Sequence, residues 1–259
     1  MPWSTPSPTG APGQAVTHDQ ERTAAVTDTT PQPDAGGSAR GTGNVVPARL
    51  VLPFVLVTLL FPLWGFANDV TNPMVKAFSR ILQMSNFQGS LVQFAFYGGY
   101  FAMAFPAALF IKRYSYKAGI LVGLGLYAFG ALLFIPGSKM MVFWPFLVAY
   151  FILTCGLSFL ETSANPYILS MGPEETATRR LNLSQSFNPF GAIAGVVISQ
   201  VFVLSQLNIM TASDRAVIPA EELTRIQGAE LNAVTMTYVV LGLVMVVLLL
   251  AIWFTKMPG

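Results

Sequence analysis

Six apolar stretches, each near or above the roughly 20 residues needed to cross a hydrocarbon layer, constrain this chain more than any other feature. They fall at about 48–72, 87–112, 117–137, 142–170, 181–206 and 232–254. Lipid offers no water to backbone N–H and C=O groups, so such runs span as helices that satisfy themselves. The pattern predicts an all-α membrane protein, a six-transmembrane-helix bundle. Composition agrees: 53% of the residues are hydrophobic and 10% charged, against about 25% charged in soluble domains.

The remaining composition excludes several classes. A net charge of +2 gives no reason to expect nucleic acid. The single cysteine, Cys155, lies in an apolar run, which leaves no disulfide framework and no zinc site. The single histidine, His18, lies in the polar N-terminal stretch, so a histidine-dependent catalytic centre is excluded.

Residues 1–46 are rich in Pro, Thr, Gly, Ala and Ser and poor in large apolar residues. Too little surface can be buried there to offset ordering entropy, so a disordered cytoplasmic tail is expected, followed by a six-helix unit at 47–259. The tail has no apolar core of the kind a secretion signal needs.

The connections carry Lys76 and Arg80, then Lys112, Arg113 and Lys117, then Lys139, then Glu174, Glu175, Arg179 and Arg180. The longest, about 207–231, contains Pro219-Ala220-Glu221-Glu222-Leu223, a pattern that predicts a short surface helix. Trp64, Trp144 and Trp253 stand near proposed span ends, as in an interfacial belt, with Trp64 the deepest. With the N-terminus inside, Arg40, Arg49, Lys112, Arg113, Lys117, Arg179, Arg180 and Lys256 lie on the cytoplasmic side. Lys76, Arg80, Lys139, Arg215 and Arg225 then lie outside. That balance favours both termini in the cytoplasm.

Polar residues at depth single out the site. A charge near the bilayer centre costs roughly 2.5–3.5 kcal/mol on insertion scales, so such residues mark ion or substrate paths. The segment Leu157-Ser158-Phe159-Leu160-Glu161-Thr162-Ser163-Ala164-Asn165-Pro166-Tyr167 places Glu161 and Asn165 on one helix face. Pro166 frees the Thr162 carbonyl beside them. Asn68, Asp69 and Asn72 cluster in the first span, Gln93, Tyr97 and Tyr100 in the second, and Asn182, Gln185 and Asn188 in the fifth. No lysine or arginine is expected at the depth of Glu161, so an unpaired carboxylate able to take up a proton is predicted there. Asp69 reads either as a second such group or as a solvated helix-end charge. For Asn182, Ser184 and Thr162, hydrogen bonding between helices competes with any functional reading. Glycines such as Gly98, Gly99, Gly191 and Gly195 read as packing contacts.

From about Phe54 to Pro258 the chain resembles the fucose permease branch of the major facilitator superfamily. The carrying runs are Leu63-Trp64-Gly65-Phe66-Ala67-Asn68, Leu91-Val92-Gln93-Phe94-Ala95-Phe96-Tyr97, Tyr116-Lys117-Ala118-Gly119-Ile120, Leu160-Glu161-Thr162-Ser163-Ala164-Asn165-Pro166 and Arg180-Leu181-Asn182-Leu183-Ser184-Gln185-Ser186-Phe187-Asn188. The resemblance implies a sugar–proton symporter in a bacterial-type inner membrane, with two rocking six-helix halves of which this chain is the N-terminal one. It ties Glu161 to proton coupling and Asn188 to the sugar-site region. The family aspartate falls at Asn72 here, while Asp69 stands where Asn is common. Either the charge has moved one turn along the helix, or coupling is altered.

The expected site therefore consists of Glu161 and Asp69 for the proton. Asn68, Asn72, Gln93, Tyr97, Asn165, Gln185 and Asn188 are expected to serve a monosaccharide resembling fucose, glucose or galactose. Neutral amides suit hydroxyls because each offers both donor and acceptor. No metal and no cofactor beyond the proton is expected. The expected partners are sugar, proton, lipid, and a missing C-terminal half or a second copy. Passive sugar transport and a non-transporting receptor or assembly role are the alternatives. Intramembrane enzymology is not supported, for want of a buried histidine, a Ser-Lys pair or a metal cluster.

Overall fold

Proline sets where the spans bend. The computed structural model describes residues 45–208 and 210–257 and contains six helical spans: Ala48–Ile81, Asn86–Arg113, Tyr116–Met140, Phe143–Ser170, Glu174–Gln206 and Ala220–Phe254. Three of them are interrupted, each directly after the residue four before a proline. The first pauses after Thr58, below Pro62; the third after Leu132, below Pro136; the fifth after Gln185, below Pro189. A prolyl nitrogen cannot donate to the carbonyl four residues earlier, so that carbonyl is the point of weakness. Pro73, Pro106 and Pro166 sit inside helices that run on unbroken.

Elsewhere the ends follow ordinary capping chemistry. Ser85 opens the second span with a capping box, its hydroxyl accepting from Gln88 N and its own N–H donating to Gln88 Oε1. Ser115 caps the third span through Ala118 N.

The fourth span is the hub. It packs against the second and third, the third against the sixth, and the first against the fifth. Behind the hub, Phe78, Phe134, Phe146, Tyr150 and Tyr238 form an aromatic cluster, in which Phe134 and Tyr238 stack at 4.1 Å and the Tyr150 and Tyr238 hydroxyls meet at 2.5 Å. The first and fifth spans touch backbone to backbone. A Cβ on Gly191 would fall onto the Pro62 carbonyl, and one on Gly65 onto the Asn188 carbonyl, so glycine is required at both. The packing reading of Gly191 is thereby explained.

Two sequence expectations are corrected. The first span does not end near Asn72 but continues nine residues to Ile81. Its last part is held by a buried stripe of Val70, Met74, Ala77, Phe78 and Ile81. The Pro219 segment is no separate surface helix: Pro219 is the cap of a single 35-residue helix, Ala220–Phe254, that includes the sixth span.

The short helix of this connection is Ala212–Val217, opened by a capping box between Thr211 and Asp214. Hydrogen bonds from the Thr211 hydroxyl and then its backbone N–H hold the Asp214 carboxyl below its ordinary value. The helix is anchored by Arg215, which makes a bidentate ion pair with Glu230 at 2.6 and 2.9 Å, both side chains buried. Glu230 also accepts from Asn208 N, and Arg80 donates to the Met210 carbonyl. Arg215, expected from the sequence as a charge in an outer connection, is an internal one. The expected tail, 1–46, lies outside the described residues except for its last two.

Candidate functional site

The candidate residues come from the first, second, fourth and fifth spans; the third and sixth supply none. Four small hydrogen-bonded groups result. Gln93 Nε2 donates to Asn72 Oδ1 at 3.1 Å, tying the second span to the first. One turn and more away, Trp64 Nε1 donates to the Tyr100 hydroxyl at 2.9 Å, and that hydroxyl donates to Asn68 Oδ1 at 3.3 Å. Between the fourth and fifth spans, Gln185 Nε2 donates to Asn165 Oδ1, and Asn165 Nδ2 donates to the backbone carbonyl of Glu161, both at 3.2 Å. Asn188 Nδ2 donates to the Phe61 carbonyl, joining the fifth span to the first.

Each pairing has a local cause. Asn68 and Asn72, like Glu161 and Asn165, are four residues apart and share a helix face. The break at Ser186–Phe187 separates Gln185 from Asn188, so one reaches the fourth span and the other the first.

Glu161 is half-buried in a narrow recess with Leu60, Phe61, Trp64, Ala164 and Asn165. Among the described residues no Lys, Arg or His reaches its carboxylate, since the ion pairs there are Arg215–Glu230 and Arg225–Glu222. Trp64 belongs to this recess and not to an interfacial belt, whereas Trp144 and Trp253 are exposed near the ends of their spans. No three His, Cys, Asp or Glu side chains among the described residues are grouped to hold a metal ion.

The other candidates stand apart. Asp69 is partly buried and joins no hydrogen bond or ion pair among the described residues. It is not a helix-end charge, because twelve residues, about 18 Å at 1.5 Å each, separate it from Ile81. Nor is it beside Glu161: it stands five residues, about 7.5 Å along the axis, beyond Trp64. Tyr97 is exposed and packs edge-on against Phe96 at 5.4 Å, outside the polar groups.

Sequence reasoning missed the Trp64–Tyr100–Asn68 bridge, although Trp64 and Asn68 at four-residue spacing carried a signal. It also places Arg180 in a connection as a cytoplasmic charge. Arg180 is buried at the end of the fourth span, where it donates to the carbonyls of Ile168, Leu169 and Pro173 and to Thr176 Oγ1. Ser184 is likewise structural, bonding Thr58 across the first and fifth spans at 2.9 Å.

A bundle of six candidate membrane helices, with paired amides on four of them and a carboxylate unpaired among the described residues, defines a polytopic membrane protein. The Major Facilitator Superfamily profile matches residues 57–259, and the chain belongs to that superfamily, which is a family of transporters and not of enzymes. The L-fucose-proton symporter of Haemophilus influenzae is 50% identical over 222 residues, covering 83% of this chain and 52% of its own length. The glucose/galactose transporter of Brucella abortus is 37% identical, covering 78% of this chain and 45% of its own. The crystal structure of a Major Facilitator Superfamily transporter, FucP, in the outward conformation superposes with a TM-score of 0.73 at 39% identity, over 82% of this chain and 51% of that one. The chain spans about half the length of the curated relatives it matches.

Proposed function

We propose that this chain supplies one six-span half of a proton-coupled monosaccharide transporter that works by alternating access in a bacterial inner membrane, with both ends of the chain in the cytoplasm. The relatives are a fucose-proton symporter and a glucose/galactose transporter, which supports a neutral sugar of that size. Glu161 would take up and release the proton, with no cofactor beyond that ion. Asn165, Gln185, Asn68, Asn72 and Gln93 would meet sugar hydroxyls, each amide offering a donor and an acceptor. A second six-span half, from a longer chain or another polypeptide, would close the cavity.

The carrying observation is the half-buried Glu161 with no cation reaching it among the described residues and with Asn165 in the same recess. The Asn72–Gln93 pairing favours a second reading, passive sugar transport, since a neutral amide occupies the family aspartate position.

The test is labelled L-fucose uptake by cells producing this chain with a complementary six-span half. With Glu161→Gln, accumulation driven by the pH gradient should vanish, while exchange of labelled for unlabelled sugar persists. Glutamine keeps the shape and hydrogen bonding of the side chain but cannot titrate. Uphill uptake that survives the substitution removes Glu161 from coupling and leaves the passive reading.

A further inference from the structure

At the end of the bundle where the first span begins and the fourth and sixth finish, a recess of about 620 Å³ opens. Arg49 and Leu50 line it from the first span, Ser170 and Gly172 from the end of the fourth, and Lys256 and Met257 from beyond the sixth. Every lining residue sits at or just past a span end, which places the recess at the level of lipid headgroups. Neither Arg49 nor Lys256 has a carboxylate partner among the described residues. Glu174 and Glu175 lie close in sequence but do not line it.

Helix C-terminal carbonyls would ordinarily repel an anion here. In this bundle they are already engaged. Arg180 takes the Ile168 and Leu169 carbonyls of the fourth span, and Lys117 Nζ takes the Trp253 and Thr255 carbonyls at the end of the sixth. Two further cations thus stand behind the walls. Arg180 comes against the floor itself: Gly172 has φ +152°, and a Cβ there would crowd Arg180 Nη1. Ser170 spends its proton on the Tyr167 carbonyl, so the available donors are Arg49 and Lys256. Leu50 and Met257 pack on the apolar core and offer an apolar side to whatever the cations hold.

We propose that this recess binds the headgroup of an anionic phospholipid, its phosphodiester between Arg49 and Lys256 and its glycerol against Leu50 and Met257. Cations near a membrane surface attract anionic lipid, and basic pockets between span ends are where headgroups are recognised. The inference is independent of the transport reading, because it concerns the end of the bundle and not Glu161.

Native mass spectrometry of the purified chain tests it, using mixed micelles of phosphatidylcholine and phosphatidylglycerol. The unaltered chain should retain phosphatidylglycerol preferentially. Arg49→Gln combined with Lys256→Gln should weaken that retention about thirtyfold. Both residues are exposed, so the fold is not at risk. Arg49→Lys with Lys256→Arg should keep the preference, and Lys139→Gln, exposed at the opposite end of the third span, should not alter it. Undiminished preference in the double glutamine variant overturns the proposal. So does soluble glycerol 3-phosphate binding as tightly as the lipid, which would make the recess a free-phosphate site.

Discussion

Trp64 in the first span and Tyr100 in the second are joined by a 2.9 Å hydrogen bond from indole nitrogen to phenol oxygen. The same oxygen donates to Asn68, one turn along from Trp64. One hydroxyl on the second span therefore fixes two side chains on the first, and one of those, Trp64, walls the Glu161 recess. Substituting Tyr100→Phe keeps the ring's contact with Phe96 at 5.6 Å but leaves the indole N–H without a partner. A half-buried donor left unpaired costs about 1–3 kcal/mol, so the thermal midpoint in detergent should fall. Adding Trp64→Phe removes the orphaned donor, and the double variant should lose less than the sum of the two single ones. Strictly additive losses would mean that the two side chains are not coupled.

Gly191 and Gly98 offer a matched pair. A methyl group at Gly191 collides with the Pro62 carbonyl, whereas one at Gly98 meets nothing within 4 Å. Gly191→Ala should force the first and fifth spans apart at a cost of about 1–3 kcal/mol, typical of overpacking. Gly98→Ala should be neutral or slightly stabilising, through the roughly 1 kcal/mol by which alanine exceeds glycine in a helix. Thermal denaturation of both in the same detergent decides; similar midpoints would refute the close contact.

The Arg215–Glu230 pair predicts that the double substitution is milder than either single one. Removing one partner leaves a buried charge alone, which costs about 3–5 kcal/mol. Arg215→Met or Glu230→Leu should each lower the thermal midpoint sharply. Both together should recover most of the loss, since an apolar pair replaces a desolvated ionic one. The recovery should be incomplete, because Asn208 N would still lack its acceptor.

The number, length and polar content of the spans could be read from sequence because those depend on local composition. Polar residues sharing one helix face were legible for the same reason: four-residue spacing places Glu161 with Asn165 and Asn68 with Asn72. The partners across helices were not, since the pairing of Gln185 with Asn165 depends on the bend at Pro189. The Arg215–Glu230 pair was hidden by a change of direction between its members. The last quarter of the first span was missed for a different reason. Asn68, Asp69, Asn72, Pro73 and Lys76 depress its hydropathy, yet Val70, Met74, Ala77, Phe78 and Ile81 repeat at helical spacing and would have revealed it.

That longer span changes what Asp69 means. As a helix-end residue it would be a solvated charge of no consequence. Instead the helix runs about 18 Å past it, and the carboxylate has no partner among the described residues. A charge so placed costs up to roughly 2.5–3.5 kcal/mol on insertion scales, with partial exposure reducing the figure. Asp69→Asn should therefore raise the thermal midpoint of the chain. In the two-half assembly it should also depress proton-driven L-fucose accumulation, if the family aspartate has moved here from position 72. Adding Asn72→Asp places a carboxylate where Gln93 Nε2 already donates at 3.1 Å, so the charge gains a hydrogen bond that Asp69 lacks. This double variant should be more stable than the starting chain and should regain accumulation. An Asp69→Asn chain that is stabilised but accumulates sugar normally would show that the aspartate serves no coupling role, leaving Glu161 as the proton site.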